Sequence, residues 1–296
     1  MSSELVRALA AICDAPAAAQ AAAGVLGLRP PEAAEHTEVF VMNCPPYAAV
    51  HLGGEGGLGG EAADRVAGFW RALGLVPPAE PDHLSSLLAL YAELCDAAHG
   101  ARRPAVKAAV DRARQVLLWE HLWSWAPGYL GAVRELATPS LAAWAVLTRR
   151  LLAAELMQSA GPAYQAPLPL ALRQAAGCLS TDDDLDGLLD ALVAPVRSGI
   201  VLTRHRLTIG SRAAEVGHRI GERRFALRAM LEQSPAATLR WLAGEAGRWY
   251  RRHAAGEDAC SRWWAQRART THGALAELAA QAADGAPARG SVGSGL

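Results

Sequence analysis

The chain has 296 residues, 51% of them apolar, with 29 basic and 29 acidic side chains and a net charge of zero. That is enough apolar material for a sizeable core in one large domain or two smaller ones, and the charge balance provides no basic field for nucleic acid or an anionic membrane surface. Alanine and leucine dominate while β-branched residues and phenylalanine are scarce, which favours helix over sheet.

Taken in order, Ser2 or Ser3 can cap a first helix over 4–13, and Pro16 can open an alanine-rich second one that ends near Gly27. Residues 1–28 carry Glu4 and Asp14 and lack a basic start ahead of an apolar core, so no signal peptide is expected. Pro30-Pro31 break the chain, and a third helix is expected over 32–42. Pro45 to Leu52 reads as irregular and is followed by a glycine-rich loop. Glu61 to Leu73 reads as a helix with Val66, Phe69, Trp70 and Leu73 on one face.

The next stretch organises the rest: Glu80-Pro81-Asp82-His83, then a leucine-rich helix over 84–98. Leu84, Leu87, Leu88, Leu90, Tyr91 and Leu94 form one buried stripe. Pro81 is tolerated at a helix start, and the Asp82 carboxylate can accept from the free N–H groups of the first turn, so Asp82 reads as the cap of that helix. Helices over 105–122, 129–135 and 140–158 follow, the last with Leu141, Trp144, Leu147, Leu151 and Leu152 inward. The proline-rich 161–169 segment reads as a linker. Beyond it, helices are expected near 168–178, 183–193, 203–217, 222–233, 236–253 and 258–282, with Ser234-Pro235 as an N-cap and first-turn proline. The division expected is 1–160 as a core, 161–284 as a helical region packed on it, and 285–296 as a disordered tail. No apolar run is long enough for a membrane span.

Other motifs are weaker. Gly54-x-Gly56-x-x-Gly59 fits a dinucleotide fingerprint, but no strand precedes it and no alternation of strands and helices surrounds it. A helical nucleotide-binding regulator using loop 53–60 is the alternative reading. Asp182-x-Asp184-x-Asp186-Gly187 copies half a calcium loop, yet position twelve is Val193, and Thr181 or Asp182 reads as a helix cap. The ligand-type neighbours Asp82-His83 and Glu120-His121 point about 100° apart on a helix and lack the i, i+3 or i, i+4 spacing that puts two ligands on one face, so no metal, cofactor or catalytic residue is expected. Five single cysteines without a C-x-x-C spacing suit reduced, mostly buried thiols. Of nine tryptophans, Trp119, Trp123 and Trp144 read as core, and Trp263-Trp264 beside Arg262 and Arg267 read as a partner surface or a packing site.

Gly74-Leu75, a short spacer, Glu80-Pro81-Asp82-His83-Leu84 and a leucine-rich helix resemble the signature of the TorD/DmsD family of molybdoenzyme maturation chaperones. Glu120-His121-Leu122-Trp123-Ser124-Trp125 resembles that family's second block, and Pro45-Pro46-Tyr47 with the glycine loop resembles a third. The resemblance spans about residues 36–155 and implies an all-α multi-helix bundle with an additional C-terminal helical region. It also implies a cytoplasmic chaperone, monomer or homodimer, that binds the N-terminal leader, often a twin-arginine signal peptide, of the catalytic subunit of a molybdopterin oxidoreductase. Delayed export and assisted cofactor insertion would follow. The leader site it implies draws on Pro46, Tyr47, His51, Gly60, Trp70, Glu80, Asp82, His83, His121 and Trp125. Ala48-Ala49 and His51 depart from residues common in relatives, which leaves the leader's identity open.

Overall fold

The computed structural model describes residues 2–136, 139–158, 167–217, 219 and 221–284. Helices α1 (Ser3–Ile12), α2 (Pro16–Val25) and α3 (Ala33–Thr37) come first, and α3 runs into a π-helical turn over Glu38–Asn43. They are followed by α4 (Ala48–Leu52), α5 (Gly60–Ala72), α6 (Leu84–Gly100) and α7 (Pro104–Val116), which continues as a π-helical segment over Leu117–Trp123. Next are α8 (Ala126–Glu135), α9 (Pro139–Gln158), α10 (Leu170–Arg173), α11 (Leu185–Val193) and α12 (Pro195–Ser198). The chain ends in α13 (Arg204–Ala213), α14 (Arg223–Gln233), α15 (Pro235–Ala254) and α16 (Ala259–Asp284). Among the described residues there is no strand, only one isolated antiparallel bridge between Tyr47 and His83. The fold is all-α.

The periodic leucines do what their spacing requires. Leu84, Leu87, Leu88, Leu90 and Tyr91 of α6 are buried and pack on Val6, Leu9 and Ile12 of α1. Trp144 of α9 is fully buried, and its indole N–H donates to the Leu9 carbonyl at 2.9 Å, which fastens α9 across the N-terminal helix. The Tyr91 hydroxyl donates to Glu155 at 2.7 Å, so the one carboxylate buried on α9 has a partner. The apolar cluster continues without a break into Leu189 and Leu192 of α11, Leu227 of α14, Leu242 and Trp249 of α15 and Leu275 of α16. Helices α15 and α16 form the most extensive helix pair of the molecule, joined by the short turn 255–258.

Polar contacts also join the later helices to the earlier ones. The Asn43 side-chain Oδ1 accepts from the His205 backbone N–H at 2.9 Å, and the Trp264 indole donates to the Ser124 carbonyl at 2.9 Å. Glu120, in the π segment, accepts from the Leu170 N–H at 2.7 Å, and Trp119 donates to the Pro167 carbonyl at 3.1 Å, anchoring the chain where α10 begins. Trp263 lies half-buried against Trp264 with the Arg267 guanidinium 4.5 Å from its ring centre, so this pair is a packing site.

Several expectations need correction. The 45–52 stretch is not irregular throughout, because α4 occupies its second half. The helix expected over 168–178 shrinks to Leu170–Arg173. Leu147 points outward, 38% exposed, while Leu141, Trp144, Leu151 and Leu152 are buried. Asp184, not Thr181 or Asp182, caps α11, accepting from Gly187 N–H at 2.7 Å, and Asp186 pairs with Arg224 and Arg228 instead of facing a cation. Four cysteines are buried and Cys178 is exposed. The 285–296 tail and the 161–166 part of the linker lie outside the described residues.

Candidate functional site

The Pro45-Pro46-Tyr47 segment and the Asp82-His83 segment clasp each other. The Ala48 N–H donates to the Asp82 carbonyl at 3.1 Å, and the Leu84 N–H donates to the Pro46 carbonyl at 2.8 Å. Both prolines lack an N–H, so they could not join a longer ladder, and the pairing stays one bridge long. Its effect is to place the starts of α4 and α6 side by side.

Each helix start then receives an acceptor. His83, in extended conformation, is the N-cap of α6, and its Nδ1 accepts from the Ser85 N–H at 3.1 Å. The Asp82 carboxylate does not cap α6 as its position in the sequence suggests. It reaches across the clasp and accepts from the Ala49 N–H at 2.9 Å, capping α4. The correction has a simple cause: the free N–H groups of α4 lie within reach of a buried carboxylate, and His83 already serves the first turn of α6. Burial raises the Asp82 pKa, opposed by the hydrogen bond from Ala49. Nδ1 of His83 also lies 2.7 Å from the Ser85 hydroxyl, which donates to Asp14 at 3.0 Å and so ties the site to the end of α1.

The outer layer of the clasp is Tyr47, Glu80 and Trp70. The Tyr47 hydroxyl donates to exposed Glu80 at 2.8 Å, and its ring stands edge-on to His83 with centres 4.7 Å apart. Burial, then the bond to Glu80, raises the Tyr47 pKa, so the phenol stays protonated and donating. Burial lowers the His83 pKa, so the imidazole beside Glu80 is neutral at physiological pH. The Trp70 indole donates to the Pro81 carbonyl at 3.4 Å, which fixes the signature segment to α5. That helix ends in a Schellman turn: Gly74, at φ 75°, donates to Arg71, and Leu75 donates to Trp70 at 3.0 Å. The turn leaves Leu75 44% and Val76 89% exposed beside Trp70.

The other expected residues are not part of this layer. Pro46 is buried under the clasp, and its carbonyl is used as described. His51 is buried on the inner side of α4, stacked on Trp125 with centres 5.2 Å apart and edge-on to Tyr129. Burial, then the nearby Arg223, drives its pKa down to about 3. His121 is buried against Phe69, with ring centres 4.7 Å apart, and burial, then Arg65, lowers its pKa to about 4. Trp125 is buried and donates to the His121 carbonyl at 2.8 Å. These three side chains support the site from below and offer no face to a ligand. Gly60, at φ 71°, opens α5 at the rim of a separate cleft of about 530 Å³ between the glycine loop and residues 171–176.

The glycine run itself serves packing. Gly56, at φ 63°, lies so close to the end of α11 that a Cβ there would sit 2.5 Å from the Val193 carbonyl oxygen. The cleft offers Arg65 as its one cation, next to Glu55 and Glu61, and among the described residues no strand leads into the loop. No group of three or more His, Cys, Asp or Glu side chains among the described residues could hold a metal ion. The Asp14–Ser85 link escaped the sequence reading because its partners are 71 residues apart and belong to no motif.

No helix among the described residues is long and apolar enough to cross a membrane. No curated protein and no solved structure matches the chain. Residues 5–130, which hold the clasp and all ten expected site residues, match the family model described as nitrate reductase delta subunit. The match covers the segment that carries the signature blocks and is consistent with their resemblance to the TorD/DmsD family of molybdoenzyme maturation chaperones.

Proposed function

We propose that the protein acts in the cytoplasm, where the face formed by Tyr47, Trp70, Leu75, Val76 and Glu80 receives the N-terminal leader of a molybdopterin-dependent oxidoreductase subunit. Binding would delay export and keep the subunit open for cofactor insertion. The observation that carries this reading is the Tyr47–Glu80 pair. The phenol holds one oxygen of an exposed carboxylate in place and leaves the other free for a guanidinium. Trp70, bonded to the Pro81 carbonyl next to Glu80, leads into the turn that exposes Val76 (89%) and Leu75 (44%), apolar surface complementary to the segment that follows the arginines of a twin-arginine leader. Neutral His83 does not compete for the carboxylate. Asp82, His83, Ser85 and Asp14 then have a positioning role, because their polar atoms are engaged in fixing the clasp.

A synthetic leader carrying two arginines and an apolar segment, titrated against the full chain, tests the reading. Glu80→Gln should weaken binding by about 10-fold, the loss of one charge-assisted bond. Val76→Asp should weaken it at least as much and leave the helical content unchanged. Binding that both variants leave intact would place the leader elsewhere.

A further inference from the structure

Helices α8, α9 and α15 line a concavity of about 260 Å³ that shares no residue with the clasp. Its floor is apolar, with Leu130, Gly131, Ala145 and Val146, and its rim carries Arg134, Arg149, Arg150 and Arg252. Four guanidinium groups around one small space repel one another unless an anion joins them. The carboxylate at hand, Glu135, already pairs with both Arg248 and Arg252. Among the described residues no ion pair engages Arg134, Arg149 or Arg150.

Arg252 is held ready. Its guanidinium lies 4.4 Å from the centre of the Trp249 ring, and Glu135 fixes one of its nitrogens. The other terminal nitrogen, Nη1, is buried and has no hydrogen-bond partner. Gly131 leaves room for this placement: a Cβ there would meet Arg252 Cδ at 3.3 Å and Nη1 at 3.4 Å, so the arginine would have to shift by a few tenths of an ångström. Burial lowers the Arg252 pKa, opposed by the bond and charge of Glu135 and aided to a smaller extent by the fields of Arg248 and Arg134.

We propose that this concavity binds a phosphate-bearing small molecule, with the phosphate held by Arg134, Arg149, Arg150 and Arg252. Arginine forks match the O–P–O edge in bidentate fashion, and a phosphate carries enough charge to satisfy several of them at once. The apolar floor lowers the local dielectric, which strengthens each of these contacts. The volume suits a phosphate or pyrophosphate with a small organic body and is below the range typical of larger ligands.

The test is calorimetric titration of the full chain with inorganic phosphate, with pyrophosphate and with a glutamate-rich peptide. Pyrophosphate should bind, and the double variant Arg134→Gln/Arg150→Gln should weaken it by roughly 10-fold or more. Neither side chain has a hydrogen-bond or ion-pair partner among the described residues, so this variant should fold with unchanged helicity. Gly131→Ala, which displaces Arg252 and leaves every charge in place, should also weaken binding. The control Arg102→Gln/Arg103→Gln, exposed ahead of α7, should bind as wild type. No pyrophosphate binding, equal loss in the control, or tighter binding of the acidic peptide than of pyrophosphate would each overturn the proposal.

Discussion

At the residue scale, Asp82 and Glu80 are separated by one proline and do different work. Asp82 is 3% exposed and bonded to Ala49, whereas Glu80 is exposed and bonded only through one oxygen to Tyr47. Asp82→Ala should therefore cost about 1–2 kcal/mol of unfolding free energy, the loss of a cap inside a buried clasp. Glu80→Gln, at a surface position, should stay within about 0.5 kcal/mol of wild type. Urea unfolding of the two variants checks the contrast, and equal stability losses would contradict it. Residue types alone made Asp82 a cap, which it is, but assigned it to the wrong helix. A carboxylate caps whichever free N–H groups the fold brings within reach, and a contact across 33 residues leaves no trace in local periodicity.

At the element scale, the long periodic helices were legible and the short ones were not. Helix α6 announces itself through its leucines. Helix α4 has five residues, too few to form alone, and exists because Asp82 satisfies its first turn. Helix α12 is a single turn ended by Gly199, which at φ 73° passes so close to α16 that a Cβ would lie 2.3 Å from the Ala268 nitrogen. Only glycine fits there, since the obstacle is backbone and cannot yield. Gly199→Ala should destabilise by more than about 2 kcal/mol, combining strain with overpacking. Gly244→Ala, in the middle of α15 with no heavy atom within 4 Å of the new Cβ, should instead stabilise by up to about 1 kcal/mol. Thermal unfolding of the pair decides the matter, and a shift of the same sign in both would contradict the helix packing described here.

At the scale of the whole molecule, burial of neutral histidines sets the response to acid. His51, His121 and His253 are each less than 10% exposed, and burial takes their pKa values to about 3, 4 and 4. An unfolded histidine titrates near 6.5, so below that pH the unfolded chain binds protons that the folded chain refuses. Stability is therefore full above about pH 6.5 and falls as the pH drops toward the folded values. At pH 5.5 the three groups together remove roughly 4 kcal/mol, a large part of an ordinary domain's stability. The raised pKa of Asp82 works in the opposite direction and offsets a fraction of this loss. Melting temperatures between pH 7.5 and 5 should decline below 6.5, and a flat profile would contradict the burial of these rings. The all-helical class, the signature blocks and most of the supporting residues could be read from the sequence. What it could not show was which blocks face solvent, since His51, His121 and Trp125 belong to the same motifs as Tyr47 and Glu80 but point into the core. The central claim is that the Tyr47–Glu80 face holds a leader by a charge contact over an apolar surface, and the salt dependence of leader binding tests it most directly. Wild type should lose affinity as salt rises to 1 M, where screening acts over about 3 Å, and should retain the apolar remainder. Glu80→Gln should start about 10-fold weaker at low salt and show a shallower slope. A variant as tight as wild type, with the same slope, would contradict the account.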